Sequence, residues 1–123
     1  MPSARSALGS LGEGVAAAHL ERAGAAILAR NWRCRHGEID LVARLGDQLL
    51  FVEVRTRRQG GIPPEESVGP AKAARMRRLA YAYLDATHSD AEAPWRIDLI
   101  LVELDRAGRV SRLEQIEAAV GEE

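Results

Sequence analysis

The chain has 123 residues, a formal net charge of −1 and a hydrophobic fraction of 46%. This length suits one domain with its own core and is short for two. A single cysteine, Cys34, excludes a disulfide framework and a four-cysteine zinc site. The chain has neither a long apolar run nor a signal-peptide pattern near its N-terminus, which predicts a soluble, cytoplasmic protein with a reduced thiol.

The first half of the chain predicts a helix followed by three strands. The helix runs from about residue 6 to residue 23, where Gly24 is placed to end it. A strand over about 26–33 comes next. The strands over 38–45 and 48–55 are joined by Gly46-Asp47, which is typical of a hairpin with a two-residue turn.

The second half predicts a helix and two strands after a long connection. We expect a mobile loop at about 56–70 and a helix from Pro70 to about Ala86. Strands over 95–104 and 109–116 and a flexible tail at about 118–123 complete the chain. The order αβββαββ predicts one α/β layered domain over residues 1–123, with a mixed sheet of about five strands flanked by two helices.

The first helix has two alternative inward faces. Its apolar residues form one stripe of Leu8, Leu11, Val15 and Ala18, and another of Ala16, Ala17, Leu20 and Ala23. Glu13 lies on the same side as the second stripe. The pattern leaves the choice between the two stripes open, and with it the direction in which Glu13 points.

The hairpin turn predicts a strand register that brings acids together. If Gly46 and Asp47 form the loop, Asp40 faces Glu53 and Glu38 faces Arg55. Like charges directly opposite on neighbouring strands are destabilising. A divalent cation such as Mg²⁺ would offset that repulsion, and Glu13 can add a third carboxylate. The alternatives are a solvated charged face with a simple Glu38–Arg55 ion pair, or a slipped register.

Several motifs carry a resemblance to a known family. They are Gly12-Glu13, Asn31-Trp32-Arg33, GEIDLV over residues 37–42 and FVEVR over residues 51–55, extended by Ser67-Val68, Lys72 and Arg96-Ile97-Asp98. Over roughly residues 8–117 the chain resembles the YraN family, a bacterial group also called uncharacterised protein family 0102. That family is similar to the restriction-endonuclease-like nucleases, which include archaeal Holliday-junction resolvases. The resemblance therefore implies a restriction-endonuclease-like three-layer fold.

The resemblance also implies roles for individual residues. In such nucleases a helix glutamate, a strand aspartate and a Glu-x-Lys motif hold one or two Mg²⁺ ions. By position these are Glu13, Asp40 and Glu53, with the Val54 backbone carbonyl as an additional ligand and Mn²⁺ as a substitute metal. The metal would lower the pKa of an attacking water and stabilise charge on the scissile phosphate.

The chain departs from the nuclease pattern at one position, where Arg55 replaces the lysine. Arginine cannot act as a general base, although it can neutralise a phosphate or position a water. The inward stripe of the second helix consists of Met76, Leu79, Ala80, Tyr83 and Leu84. Lys72, the only lysine of the chain, falls within the same arc at the first turn of that helix and can reach the carboxylates. The favoured alternative is that its side chain extends past the helix end into water. Asp98 either hydrogen-bonds locally or supports the metal site.

The net charge is 0 over residues 1–54, +5 over 55–78 and −6 over 79–123. The basic segment is either a solvated face or a surface for a polyanion. In the second case its arginines contact phosphates without reading base sequence; they are Arg57, Arg58, Arg75, Arg77 and Arg78.

Two functional hypotheses follow from these features. The first is a Mg²⁺-dependent endonuclease that hydrolyses phosphodiester bonds in DNA, with branched or structured DNA as a candidate substrate and DNA favoured over RNA. The second is a nucleic-acid-binding protein of the same fold that has lost catalysis through Arg55. By analogy with dimeric resolvases, a homodimer is a candidate assembly; no membrane partner is expected.

Overall fold

A computed structural model describes residues 4–60, 68–87 and 93–121 of the chain. Two helices and five strands form its secondary structure: α1 (Ala4–Arg22), β1 (Ala26–Cys34), β2 (Gly37–Leu45), β3 (Gln48–Arg58), α2 (Pro70–Ala86), β4 (Trp95–Leu104) and β5 (Val110–Val120). Both helices and all five strands lie where the sequence pattern predicts them, with differences only at their ends.

The five strands form one mixed sheet in the order β1-β2-β3-β4-β5. Neighbouring strands are antiparallel except β3 and β4, which are parallel and have α2 between them in the chain. Parallel neighbours need such a crossover. The two helices cover opposite faces of the sheet, each with its own hydrophobic cluster. This confirms the three-layer α/β fold, in agreement with the architecture that the family resemblance implies.

The α1 layer resolves the choice between the two stripes of the first helix. Ala16, Ala17 and Leu20 are buried against the sheet, whereas Leu11 is 50% exposed. The second stripe is therefore the inward one. Because small side chains let a helix approach a sheet closely, α1 lies near the strands, and Glu13 is carried on the sheet-facing side.

The α2 layer packs as predicted. Its buried residues are Met76, Leu79, Ala80, Tyr83 and Leu84. The Tyr83 ring makes edge-to-face contacts with Trp32 and Phe51, at centroid distances of 5.3 and 5.6 Å. Burial raises the pKa of the Tyr83 hydroxyl. These ring contacts join the C-terminal part of α2 to β1 and β3.

Two predicted boundaries are wrong. The loop predicted to begin at residue 56 begins later, because β3 continues through Arg58 in parallel pairing with β4. An ion pair between Arg57 and Glu103, which are partners in that pairing, supports the extension. The predicted tail at 118–123 also begins too early, since β5 continues to Val120, which is buried. Residues 61–67 and 122–123 lie outside the described part of the chain.

Asp98 is fully buried, and its carboxylate is saturated with hydrogen bonds. It accepts from Arg96 Nε at 2.9 and 3.1 Å, from Gln115 Nε2 at 2.9 Å and from the Ala118 amide at 3.0 Å. Ala118 lies in a bulge of β5 with a positive φ of 50°. The carboxylate therefore binds local partners on β4 and β5 and holds the bulge, which is the first of the two roles considered for it.

Asp98→Asn is expected to lower the free energy of unfolding by about 2 kcal/mol, because hydrogen bonds to a charged acceptor are stronger than neutral ones and the half-buried Arg96 loses the nearer of its two acidic partners. Urea denaturation followed by circular dichroism measures the change. Asp85→Asn, at an exposed position of α2, is the matched control and should leave the unfolding midpoint unchanged. Equal midpoints for both variants would contradict this role of Asp98.

Candidate metal centre

The β2–β3 hairpin has the predicted register. The residues of β2 and β3 that pair across the hairpin run from Leu45–Gln48 at the turn to Leu41–Val52. Gly46 begins the turn with φ of 62°, a left-handed conformation that favours glycine. Asp40 and Glu53 are the next positions on the two strands, just beyond the Leu41–Val52 pair.

Beyond the Leu41–Val52 pair, β2 and β3 are connected by a hydrogen bond between a side chain and the backbone. Asp40 Oδ2 accepts a hydrogen bond of 2.8 Å from the backbone amide of Val54. Because the N–H and C=O groups of one strand residue point toward the same neighbouring strand, the Val54 carbonyl also faces β2. The carbonyl that the resemblance implies as a ligand thus lies on the side of Asp40.

Three carboxylates converge beside this contact. One oxygen from each of Glu13, Glu38 and Asp40 lies within 4.8 Å of the others. We call these three residues the acidic cluster. Glu13 comes from α1 and the other two come from β2. Glu13 and Asp40 were predicted as ligands, whereas Glu38 was not, although its position two residues before Asp40 in a strand was a signal for a shared face.

Asn31 holds the acidic cluster together and was also missed as a site residue. Its Nδ2 donates to Glu13 Oε2 at 2.8 Å and to Glu38 Oε1 at 2.7 Å. Asn31 lies within β1 with φ of 50°, a conformation that asparagine tolerates better than most residues. The strain of this conformation is offset by the two bonds, and such strain is concentrated at functional sites. The Asn-Trp-Arg motif was the sequence signal.

The Glu38 carboxylate has an arginine partner on β1 rather than on the hairpin alone. It pairs with Arg33 at 3.1 Å, because β1 lies on the other side of β2 and brings that side chain alongside. Arg55 contacts Glu53 at 3.4 Å on its own strand.

Burial is the main influence on the ionisation of Asp40. It raises the pKa of this carboxyl from 3.8 to about 6. The hydrogen bond from Val54 opposes the rise, whereas the negative charges of Glu13, Glu53 and Glu38 add to it. The ionised cluster is thus costly without a cation, because a partly buried charge loses hydration and is repelled by its neighbours.

Glu53 is held by two basic side chains. Its Oε1 lies 2.7 Å from Lys72 Nζ and its Oε2 lies 3.4 Å from Arg55. The favoured alternative for Lys72, that it extends past the helix end into water, is wrong: the first turn of α2 lies over the sheet and the ammonium reaches the carboxylate. The Lys72 side chain is 37% exposed and remains accessible from solvent.

A cleft between the β2–β3 hairpin and α2 gives access to these groups. Glu38, Asp40 and Glu53 lie along it with Arg75. The remaining lining is mainly apolar and includes Ile39, Phe51, Met76, Leu79 and Ile97. The acids and Arg75 therefore share one cavity whose floor belongs to the α2-side core.

The five arginines predicted to bind nucleic acid fall into two groups. Arg57 is paired with Glu103, and Arg77 donates to the backbone oxygen of Gly121 at 3.1 Å. Arg58, Arg75 and Arg78 are exposed. The exposed three are available for contacts with phosphate, and only Arg75 of them lines the cleft.

The donor set of the acidic cluster fits a hard divalent cation. All three side chains offer carboxylate oxygens, the ligands that Mg²⁺ and Mn²⁺ prefer, and no thiolate or imidazole belongs to the cluster.

Comparison with known proteins identifies the family. The model for "Uncharacterised protein family UPF0102", the YraN family, matches residues 12–102. A UPF0102 protein of Chloroflexus aurantiacus is 51% identical over 123 residues, which cover all of both chains. One from Streptomyces griseus is 52% identical over 107 residues, covering 86% of this chain and 90% of the relative. One from Roseiflexus castenholzii is 45% identical over 125 residues, 99% of each.

The chain belongs to the YraN family. The matched range of this YraN-family chain contains the acidic cluster, Asn31, Glu53 and Lys72. Within the residues that the structure describes, neither helix has the length and hydropathy that crossing a membrane requires.

Proposed function

We propose that this YraN-family chain is a Mg²⁺-dependent endonuclease that hydrolyses phosphodiester bonds in DNA. The observation that carries the proposal is the convergence of Glu13, Glu38 and Asp40. Glu38 and Asp40 line one cleft together with Glu53, which pairs with Lys72. Carboxylates beside a lysine are the groups that metal-dependent phosphodiester hydrolysis uses. The resemblance to restriction-endonuclease-like nucleases points to the same chemistry.

In this proposal the acids hold the metal, with Mn²⁺ as a substitute. Asp40, Glu53, Glu13 and the Val54 carbonyl are the ligands in this proposal, and Glu38 is an added candidate. A bound Mg²⁺ supplies Lewis-acid stabilisation of the phosphate and a more acidic water. Asn31 orients Glu13 and Glu38, so that their oxygens point into the cluster before any ligand arrives.

The nuclease pattern has a catalytic lysine at the position where this chain has Arg55. In this proposal Lys72 performs the role of that lysine. Its ammonium lies 2.7 Å from Glu53, and the side chain is partly exposed to solvent. It can donate a hydrogen bond to a water or to a phosphate oxygen, which arginine also does, and it can release a proton more readily than arginine. Arg55, fixed against Glu53, neutralises charge at the same place.

A second candidate function is nucleic-acid binding without catalysis. The Glu53 carboxylate is engaged by both Arg55 and Lys72, and a carboxylate neutralised in this way is a weaker metal ligand. Under this alternative the exposed arginines bind phosphate and the acids are inherited without activity. Metal-dependent cleavage distinguishes the two functions.

The experiment incubates purified protein with branched, single-stranded and duplex DNA, in the presence of Mg²⁺, Mn²⁺ or a chelator. We expect metal-dependent cleavage by the wild type, and a loss of at least about a hundredfold in Glu13→Gln, because one charged ligand is removed. Glu21→Gln, on the same helix at an exposed position, is the matched control and should cleave normally.

Binding of DNA without metal-dependent cleavage of any of the three substrates would favour the second function. Cleavage that survives equally in Glu13→Gln and Glu21→Gln would show that the activity does not arise from the acidic cluster. Either result overturns the proposal as stated.

A further inference from the structure

The outer face of α2 carries an aromatic ring that the fold leaves exposed. Tyr81 is 56% exposed, and its ring is held edge-to-face against Trp95 at a centroid distance of 5.4 Å and an interplanar angle of 82°. Trp95 in turn contacts the buried ring of Phe51. Tyr81 is therefore an ordered ring on the surface, supported from the core, and such rings are platforms on which nucleobases stack.

Two arginines precede Tyr81 at three-residue intervals on the same helix. Arg75 and Arg78 are exposed, and neither forms an ion pair with any residue that the structure describes. From Arg75 to Tyr81 the helix rises by about 9 Å. Because Arg75 also lines the cleft that holds Asp40 and Glu53, this row of side chains begins at the acids. Asp85, one turn beyond Tyr81, ends the basic stretch.

We propose that Arg75, Arg78 and Tyr81 form a track for a single-stranded DNA segment that leaves the acidic cleft, with phosphates on the arginines and an unpaired base stacked on Tyr81. The proposal rests on the proposed nuclease function and adds a substrate class to it. Duplex DNA keeps its bases paired and stacked on one another, so it gains from the two arginines but not from the ring. The track therefore favours substrates with an unpaired stretch.

The test measures equilibrium binding by fluorescence anisotropy, with a chelator present so that nothing is cleaved. The probes are a labelled oligodeoxynucleotide and the same strand annealed to its complement. Tyr81→Ala should weaken binding of the single strand by roughly tenfold and binding of the duplex by less than about twofold. Tyr81→Phe retains the ring against Trp95 and should bind as the wild type does, which separates stacking from loss of the hydroxyl.

Arg78→Ala tests the contribution of positive charge in the same binding experiment. It should weaken binding of both probes and reduce the slope of log affinity against log salt by about 1, because one phosphate contact is lost. Arg106→Ala, at an exposed position in the turn between β4 and β5, is the control and should change neither quantity.

The track is overturned if Tyr81→Ala binds the single strand as tightly as the wild type does, or if it loses equal affinity for both probes. The nuclease proposal is tested separately, by the cleavage experiment. Absence of cleavage combined with a selective loss in Tyr81→Ala leaves the track standing, whereas cleavage of DNA with no effect of Tyr81→Ala on binding leaves only the nuclease standing.

Discussion

Asp40→Asn is expected to abolish metal-dependent cleavage and, at the same time, to make the protein more stable. Under the proposed nuclease function the substitution removes one charged metal ligand, and we expect a loss of activity of at least about a thousandfold. It also removes a carboxylate whose pKa is raised to about 6 by burial and by three neighbouring acids. The asparagine oxygen can still accept the hydrogen bond from Val54, so the local backbone contact is kept.

The gain in stability from Asp40→Asn depends on pH, because the pKa of Asp40 is higher in the folded protein than in the unfolded chain. Because the folded protein binds the Asp40 proton more tightly than the unfolded chain does, the wild type loses stability as the pH rises from about 4 to about 6. Above that range the ionised carboxylate destabilises the fold. We expect Asp40→Asn to raise the free energy of unfolding by about 2 kcal/mol at neutral pH, and by much less near pH 3, where Asp40 is largely protonated in both the folded and the unfolded state.

Urea denaturation of the metal-free protein at several pH values measures this difference. Asp47→Asn, the same change at an exposed position of the hairpin turn, is the matched control and should leave both activity and stability unchanged. A neutral-pH stability of Asp40→Asn below that of the wild type would contradict the electrostatic account, because the ionised acid would then be stabilising.

Gly12→Ala is expected to be the most damaging small substitution in α1. A Cβ atom at Gly12 would lie 1.7 Å from the Thr56 hydroxyl oxygen and 2.8 Å from Thr56 Cβ. That hydroxyl is buried and has no hydrogen-bond partner among the described residues, so the contact is tightly packed. The helix must move away from β3, and we expect a loss of about 3 kcal/mol or more in the free energy of unfolding.

Gly14→Ala and Gly9→Ala are the controls, because a Cβ at either position meets nothing within 4 Å. Each should stabilise the protein by about 0.5–1 kcal/mol through helix propensity alone. Since Glu13 follows Gly12 directly, Gly12→Ala should also weaken Mn²⁺ binding, which calorimetry measures. If the three alanine variants had equal thermal midpoints, the close approach of α1 to β3 would not matter for stability.

Local patterns were sufficient to predict most of the fold. The Gly46-Asp47 turn determined the hairpin register because a two-residue loop leaves no freedom in pairing, and the α2 stripe from Met76 to Leu84 predicted the buried face of that helix. The ends of β3 and β5 were predicted less well. Both strands are prolonged by contacts with residues distant in sequence, such as the Arg57–Glu103 pair, that no local pattern contains.

The candidate site was only partly predictable for the same reason. Asp40 and Glu53 followed from the hairpin, because their spacing is local. Asn31 and Glu38 were missed as site residues, since their roles depend on β1 pairing with β2 and on α1 packing over both. The orientation of Lys72 depends on where α2 crosses the sheet, which the helix periodicity alone leaves undetermined.

The two helices that cover opposite faces of the sheet each contribute a charged side chain to this one region, Glu13 from α1 and Lys72 from α2. A molecule in which either helix has detached still has Asp40 and Glu53 on the hairpin, but its set of charged groups is incomplete. Under the proposed function, a divalent cation that needs the complete set would bind only the fully packed molecule. We therefore expect the cation to act as a folding ligand whose concentration shifts the population toward the native state.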